Sequence, residues 1–479
     1  MMTDRPGGGL WSRPYRAATV GFASVMFLIG FAAFAVVPTL PVAAGELDAV
    51  PMYPLVAGAF VAASLFGGVL GGSWADRAGP RRPLVVGVLL GVATLVVSGT
   101  STTVWQLAAG RFLDGVAAGM TAVAINTAIA HTYPGRLKAH ALSLMATCWI
   151  VPSLAGPPLA GLVTAWWSWR AVFLGLAAVT AVPILAVLPL VRGASGANGA
   201  NGANGANGVT GVTGATGANG VTGAREEGAG RPSLAVAAAV SGGAALAQFA
   251  VSGAGSDLDA AHLAAAAAGF GLLLAFAPRL LPRGTWRAAR GLPATALLRV
   301  LASGTYFTLE VFVPLLLDTV RGVPAAVTGL AFSGAAVAWA GAGWVQGHLL
   351  EHRPRHRVAA GGMAVVVLAA VLAVAGSLPG VPPVVAGASM VVAAVGMGVA
   401  APSVTLLSIA HSPPERQGRT GGEMLTAQNL GQVAVMGAAS ALFGLCPPGG
   451  GTTGAYAAVF ALLVVPAALA VALAGRARA

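Results

Sequence analysis

Charge is scarce in this 479-residue sequence: Asp, Glu, Lys and Arg make up 8% of it, against roughly a quarter in soluble domains. A chain so poor in charge and 57% hydrophobic cannot cover a water-facing surface, and its mean hydropathy of +0.81 assigns it to a bilayer. Cysteine is almost absent. Cys148 and Cys446 fall within and at the end of apolar runs, so no disulfide framework is indicated. No Walker-type phosphate loop is present, which excludes direct ATP drive, and neither a nucleophile elbow nor a metallopeptidase helix occurs. His352 and His356 have a metal-compatible spacing but stand among Arg353, Arg355 and Arg357, which repel a cation. The composition therefore implies no enzyme, no metal and no cofactor.

Acidic residues are also few, 14 against 26 basic, for a net charge of +12. The basic residues sit in short clusters between apolar runs and lack the basic face and stacking aromatics of a nucleic-acid surface. Their placement is topological.

A bilayer core of about 30 Å needs about 20 apolar residues in helix. Runs of that kind lie at 17–42, 52–74, 84–100, 105–130, 139–164 and 169–190. Two alanine-rich runs follow at 234–251 and 260–277, then six more at 294–317, 325–349, 358–376, 381–410, 423–445 and 456–474. The expectation is fourteen spans grouped six, two, six. All basic residues except Arg111, Arg170, Arg299 and Arg321 fall in alternate loops or termini, whereas Glu46, Asp48, Asp257, Asp259 and Asp318 occupy the opposite loops. By the positive-inside rule both termini are then cytoplasmic, in the plasma membrane. The first run is too long for a signal-peptide core and no small-residue cleavage site follows it, so no cleavable leader is expected.

The chain divides into a cytoplasmic N-terminus (1–16), a six-helix bundle (17–191), a Gly-rich cytoplasmic linker (192–233), two extra helices (234–290), a second six-helix bundle (291–475) and a tail (476–479). In the linker, glycine recurs at every third position across 193–223. No proline fills the intervening positions, so a collagen triple helix is excluded and a flexible tether is predicted. The two bundles look like copies. Gly72, Asp76 and following arginines at the exit of the second run match Gly347, Glu351 and the arginines after it, and Pro134-Gly135-Arg136 matches Pro414-Glu415-Arg416 at nearly the same separation. Parallel repeats of this kind are a transporter architecture.

Residues 71–84, GGSWADRAGPRRPL, put an acid and three basic residues between two apolar runs. The stretch resembles the loop between the second and third helices of the major facilitator superfamily, matching at Gly72, Asp76, Arg77, Gly79 and Arg81. RFLDGVAAG, beginning at Arg111, is similar to the fourth-helix motif. WIVPSLAGPPLAG, beginning at Trp149, is similar to the fifth-helix antiporter motif at Gly156, Pro157 and Gly161, with Pro152 and Ala160 where glycines are usual. WSWRAVF resembles the entry to the sixth helix. The extra central pair resembles the fourteen-helix drug:proton antiporter branch, which usually carries an Asp in the first helix; none occupies 17–42.

The resemblance implies an all-α membrane protein, two pseudo-symmetric six-helix bundles plus two extra central helices. It implies a monomeric secondary active transporter whose partners are protons, the lipid bilayer and a small hydrophobic or amphipathic substrate, exported by alternating access. Two other readings stay open: a metabolite importer or facilitator of the same fold, and a non-transport sensor or scaffold.

Ionisable residues inside spans are costly and mark function. Arg111 and Asp114, three apart on one helical face, suit either a structural ion pair or a proton relay. Glu310 lies mid-span beside Tyr306 with no basic residue within a turn, which makes it the leading proton carrier. Asn126, Gln428, Asn429 and Gln432 are polar positions on helices expected to line the cavity. Gly68 and Gly72, four apart like Gly67 and Gly71, are expected to leave a flat helix face for close packing, and Asp76 to form a charged latch at the cytoplasmic edge.

Overall fold

The structure, a computed structural model, describes residues 9–193, 234–252, 260–413, 417–444 and 453–478. The glycine repeat beyond Gly193, the Pro414-Glu415-Arg416 match, Asp257, Asp259 and Cys446 lie outside the described residues.

The first half comprises α1 (Arg13–Ala35), α2 (Leu40–Glu46), α3 (Tyr53–Ala78), α4 (Arg81–Gly99), α5 (Val104–Thr132), α6 (Gly135–Thr147), α7 (Ile150–Trp166) and α8 (Trp169–Gly193). A central pair follows, α9 (Leu234–Ser252) and α10 (Ala260–Phe276). The second half comprises α11 (Leu292–Thr319), α12 (Ala325–His348), α13 (Arg355–Ser377), α14 (Pro383–Ala410), α15 (Gln417–Gly444) and α16 (Thr453–Leu473). Among the described residues there is no β-strand, and nine helical stretches are long and apolar enough to cross a membrane. α15 falls outside that set because Glu423, Gln428, Asn429 and Gln432 lower its hydropathy; its polar face requires protein neighbours rather than lipid.

Proline accounts for two breaks. The first span is continuous from Arg13 to Glu46 but tightens into a 3₁₀ turn at Val37–Thr39, where Pro38 and Pro41 remove helical donors. The run read as one element at 139–164 is two helices, α6 and α7. Pro152 cannot donate to the carbonyl of Cys148, and the helix breaks at Cys148 and Trp149.

Packing repeats between the halves. The second span lies along the fourth in both, as α3 on α5 and α12 on α14. The third lies along the sixth, as α4 on α8 and α13 on α16, and the first along the fifth, as α1 on α7 and α11 on α15. This is the arrangement that a duplicated six-helix unit produces. The halves meet where α7 crosses α12 and α3 approaches α15. α9 fills the groove between α3 and α15, burying Val240, Ala244 and Ala247 against Ala62 on one side and Ala296, Ala427 and Leu430 on the other. Alanine is the most frequent buried apolar residue among the described residues, and its small volume lets backbones approach closely where lipid supplies no hydrophobic drive.

Two ends of the bundle can be told apart by charge. The basic end carries Arg13, Arg77, Arg81, Arg283 and Arg353; the far end carries Glu46, Arg170, Asp318 and Arg321.

Candidate transport site

The signature loop starts from helix packing. A side chain at Gly67 or Gly71 would collide with the backbone of Val116 or Met120 on α5, and one at Gly115 or Gly119 with the carbonyl of Phe60 or Ser64 on α3. Of the two glycine pairs, Gly67 and Gly71 thus make the close approach to α5, while Gly68 and Gly72 rest on the Val123 side chain. This contact carries α3 to the basic end, where Asp76 and Arg77 are exposed. Arg77 Nε donates to the Ser73 carbonyl at 2.9 Å. Gly79 takes φ 80°, a conformation that favours glycine, and turns the chain into α4 at Arg81. In the second half Gly347 touches nothing, and Glu351 is exposed, 3.4 Å from His352 Nε2. Close approach there comes through Gly398 of α14 against the Trp339 carbonyl and Ala342 of α12.

Arg111 and Asp114 form a buried ion pair, Nη1 to Oδ2 at 2.7 Å, with the guanidinium 4.5 Å above the Phe60 ring. Asp114, together with Thr121, opens onto a cavity between α1, α4, α5 and α8 that is otherwise walled mainly by apolar side chains such as Leu28, Val88 and Leu95. That cavity lies inside the first half rather than between the halves. Asn126, farther along α5, is buried and makes no side-chain hydrogen bond among the described residues.

The fifth-helix motif divides its work. Gly156 faces Ala35 of α1. A side chain at Gly161 would strike the backbone of Ala325 and Ala326 at the start of α12, and one at Gly329 of α12 would strike the backbone of Pro157 and Pro158. The Ser333 hydroxyl donates to the Leu154 carbonyl across the same seam. These contacts, and the hydrogen bond from Tyr53 to Val311, run from the middle of the bundle toward the far end, which is therefore the closed end.

One face of α11 is polar. Arg299, Ser303, Tyr306 and Glu310 recur at four-, three- and four-residue steps, so they fall on a single stripe. Glu310 is half-buried, with no basic partner among the described residues. Tyr306 packs edge-on to Trp339 of α12 with ring centroids 5.0 Å apart. Arg299, which the sequence reading passed over as a charge outside the loop clusters, donates from Nη2 to Gln428 Oε1 at 2.5 Å. The Ser303 hydroxyl is 3.0 Å from the Gln428 carbonyl. Gln432 is buried and Asn429 half-buried on the same helix, neither with a side-chain hydrogen bond among the described residues. The signal that could have found Arg299 was its depth, seven residues inside α11.

Residues 22–436 match the family profile described as Major Facilitator Superfamily, most of the chain. The chain belongs to the major facilitator superfamily. Among its relatives, this superfamily member is 31% identical over 193 residues to an uncharacterized MFS-type transporter of Mycobacterium tuberculosis (strain ATCC 25618 / H37Rv), covering 38% of this chain and 28% of that one. It is 29% identical over 167 residues to the class E tetracycline resistance protein of Escherichia coli, 34% of this chain and 40% of that one. It is 30% identical over 108 residues to the multidrug resistance protein MdtG of Salmonella arizonae (strain ATCC BAA-731 / CDC346-86 / RSK2980), 22% of this chain and 27% of that one. The matched region thus spans less than half the length of these relatives. The fold is similar to the crystal structure of a mutant peptide transporter POT in complex with sulfate, with a TM-score of 0.67 at 14% identity over 99% of this chain and 97% of that one. It is also similar to a POT family transporter in complex with 5-aminolevulinic acid, with a TM-score of 0.65 at 12% identity over 98% of both chains.

Proposed function

We propose that this superfamily member is a proton-coupled exporter of small hydrophobic or amphipathic compounds, a monomer of the plasma membrane with both termini cytoplasmic. Its two six-helix bundles rock about the central seam. Proton coupling is carried by one observation: Glu310 is a carboxyl within a span, beside Tyr306 and without a basic partner among the described residues. Such a group exchanges a proton with whichever side water reaches, because ionisation in the apolar interior is costly and becomes cheap on hydration. Asp114, paired with Arg111 at 2.7 Å, is the competing carrier. Export is supported by the class E tetracycline resistance protein and MdtG among the relatives. Asp76 at the basic end of α3 serves as the cytoplasmic latch.

The test uses purified protein in proteoliposomes under an imposed pH gradient, with tetracycline and other amphipathic compounds as cargo. Accumulation that follows the gradient and collapses with a protonophore supports the reading. Flux that is indifferent to the gradient sinks proton coupling and leaves a facilitator.

A further inference from the structure

The half-buried cation on α11 has no anion among the described residues. Arg299 Nη2 is bonded to a neutral amide, Gln428, and the neighbouring Nε, on the same edge of the guanidinium, is buried with no hydrogen-bond partner. Among the described residues no carboxylate lies within ion-pair distance of it. Two turns along α11, beside Tyr306, the indole nitrogen of Trp339 on α12 is also buried, with no hydrogen-bond partner among the described residues. Unsatisfied donors of this strength are expensive in a low-dielectric interior. Here Arg299 stands two turns before Tyr306 on one face of α11, and the Trp339 nitrogen belongs to the ring that packs on Tyr306.

The Nε and Nη2 edge is the fork with which arginine grips a carboxylate in two parallel bonds. In this structure the fork is half used. A carboxylate arriving there displaces the Gln428 oxygen and gains two charge-assisted hydrogen bonds, and the Gln428 amide group is then free to donate as well.

We propose that Arg299 and Gln428 form an acid-binding site, and that the transported compounds carry a carboxylate on an apolar or aromatic body. The inference rests on the transport reading above and names its substrate class. The acid group docks on Arg299 while the body lies along Tyr306 and Trp339 toward Glu310. At 1.5 Å rise per residue, the eleven positions between Arg299 and Glu310 separate the cation from the carboxyl by roughly 16 Å. A substrate acid on Arg299 therefore does not compete with Glu310 for the same proton.

The test is equilibrium binding to the full-length protein in nanodiscs without any gradient, using matched probes: 2-naphthoate against 2-naphthamide, and 4-biphenylacetate against its amide. We expect each acid to bind about tenfold or more tightly than its amide, the ratio that one added hydrogen bond to a charged group supplies. Arg299→Gln should bring the ratio close to one, and Arg299→Lys should retain part of it. Gln428→Glu provides a second variant: a fixed carboxylate beside Arg299 fills the fork and should erase the preference even if Arg299→Gln does not fold. No preference in the unmodified protein, or a preference that survives Arg299→Gln or Gln428→Glu, overturns the proposal. Acid preference without any flux overturns the transport reading and leaves this site standing. Equal flux of acid and amide through Arg299→Gln and the unmodified protein does the reverse.

Discussion

The Tyr53 hydroxyl donates to the carbonyl oxygen of Val311 at 2.9 Å, tying the first residue of α3 to α11 one position beyond Glu310. Tyr53 is fully buried, so the far end is shut at the level of Glu310. Tyr53→Phe removes this bond at a cost of about 1 kcal/mol and should shift the population toward a far-end-open state about fivefold. Spin labels at the exposed Thr102 and Val384, in a background lacking Cys148 and Cys446, would report the shift as a growing long-distance component. An unchanged distance distribution would show that the bond does not restrain the seam.

Glu310→Gln keeps size and hydrogen bonding but removes titration. It should abolish gradient-driven transport while leaving substrate binding within about threefold of the unmodified protein, because a neutral carboxamide mimics the protonated carboxyl. Substrate-induced proton release in proteoliposomes is the measurement. If Glu310→Gln still releases protons and Asp114→Asn does not, coupling belongs to the Arg111 and Asp114 pair.

Asp76 is exposed at the basic end of α3, and the latch proposal assigns it to the gate. Asp76→Asn should lower turnover at least fivefold while thermal unfolding in detergent moves by no more than a degree or so, as surface substitutions commonly do. Full turnover in the purified variant would remove the latch role.

Gly119 meets the Ser64 carbonyl and the Gly68 amide nitrogen with no room for a side chain. Gly119→Val must push α5 away from α3 and should destabilise the first half by about 1–3 kcal/mol, seen as a lower melting temperature and reduced yield. Gly347→Val is the matched control, since nothing lies within reach of a side chain at that position. Equal losses for both variants would mean that the α3–α5 approach is not what holds the half together.

Much of this protein is legible without coordinates. Apolar runs of spanning length, alternate basic loops and the paired Gly72-Asp76 and Gly347-Glu351 spacings are local signals, and they follow from the thickness and polarity of a bilayer. The pairing of Arg111 with Asp114 is equally local, because residues three apart on a helix must face the same way. Local sequence also carries the α11 stripe, which becomes visible once Arg299 is counted with Ser303, Tyr306 and Glu310.

The tertiary structure decided which apolar faces meet. Lipid and protein interior are equally apolar, so hydrophobic periodicity inside a membrane does not say whether a helix face touches lipid or another helix. Gly67 and Gly71, rather than Gly68 and Gly72, are closest to α5, and α9 lies wedged between α3 and α15. The break at Trp149 depends on one proline whose effect no composition window registers. The largest gain is the contact of Arg299 with Gln428, 129 positions apart in the chain. Sequence determined only that an arginine falls within the α11 span; the packing of α11 on α15 decided that its partner is a neutral amide and that half of its fork remains unfilled.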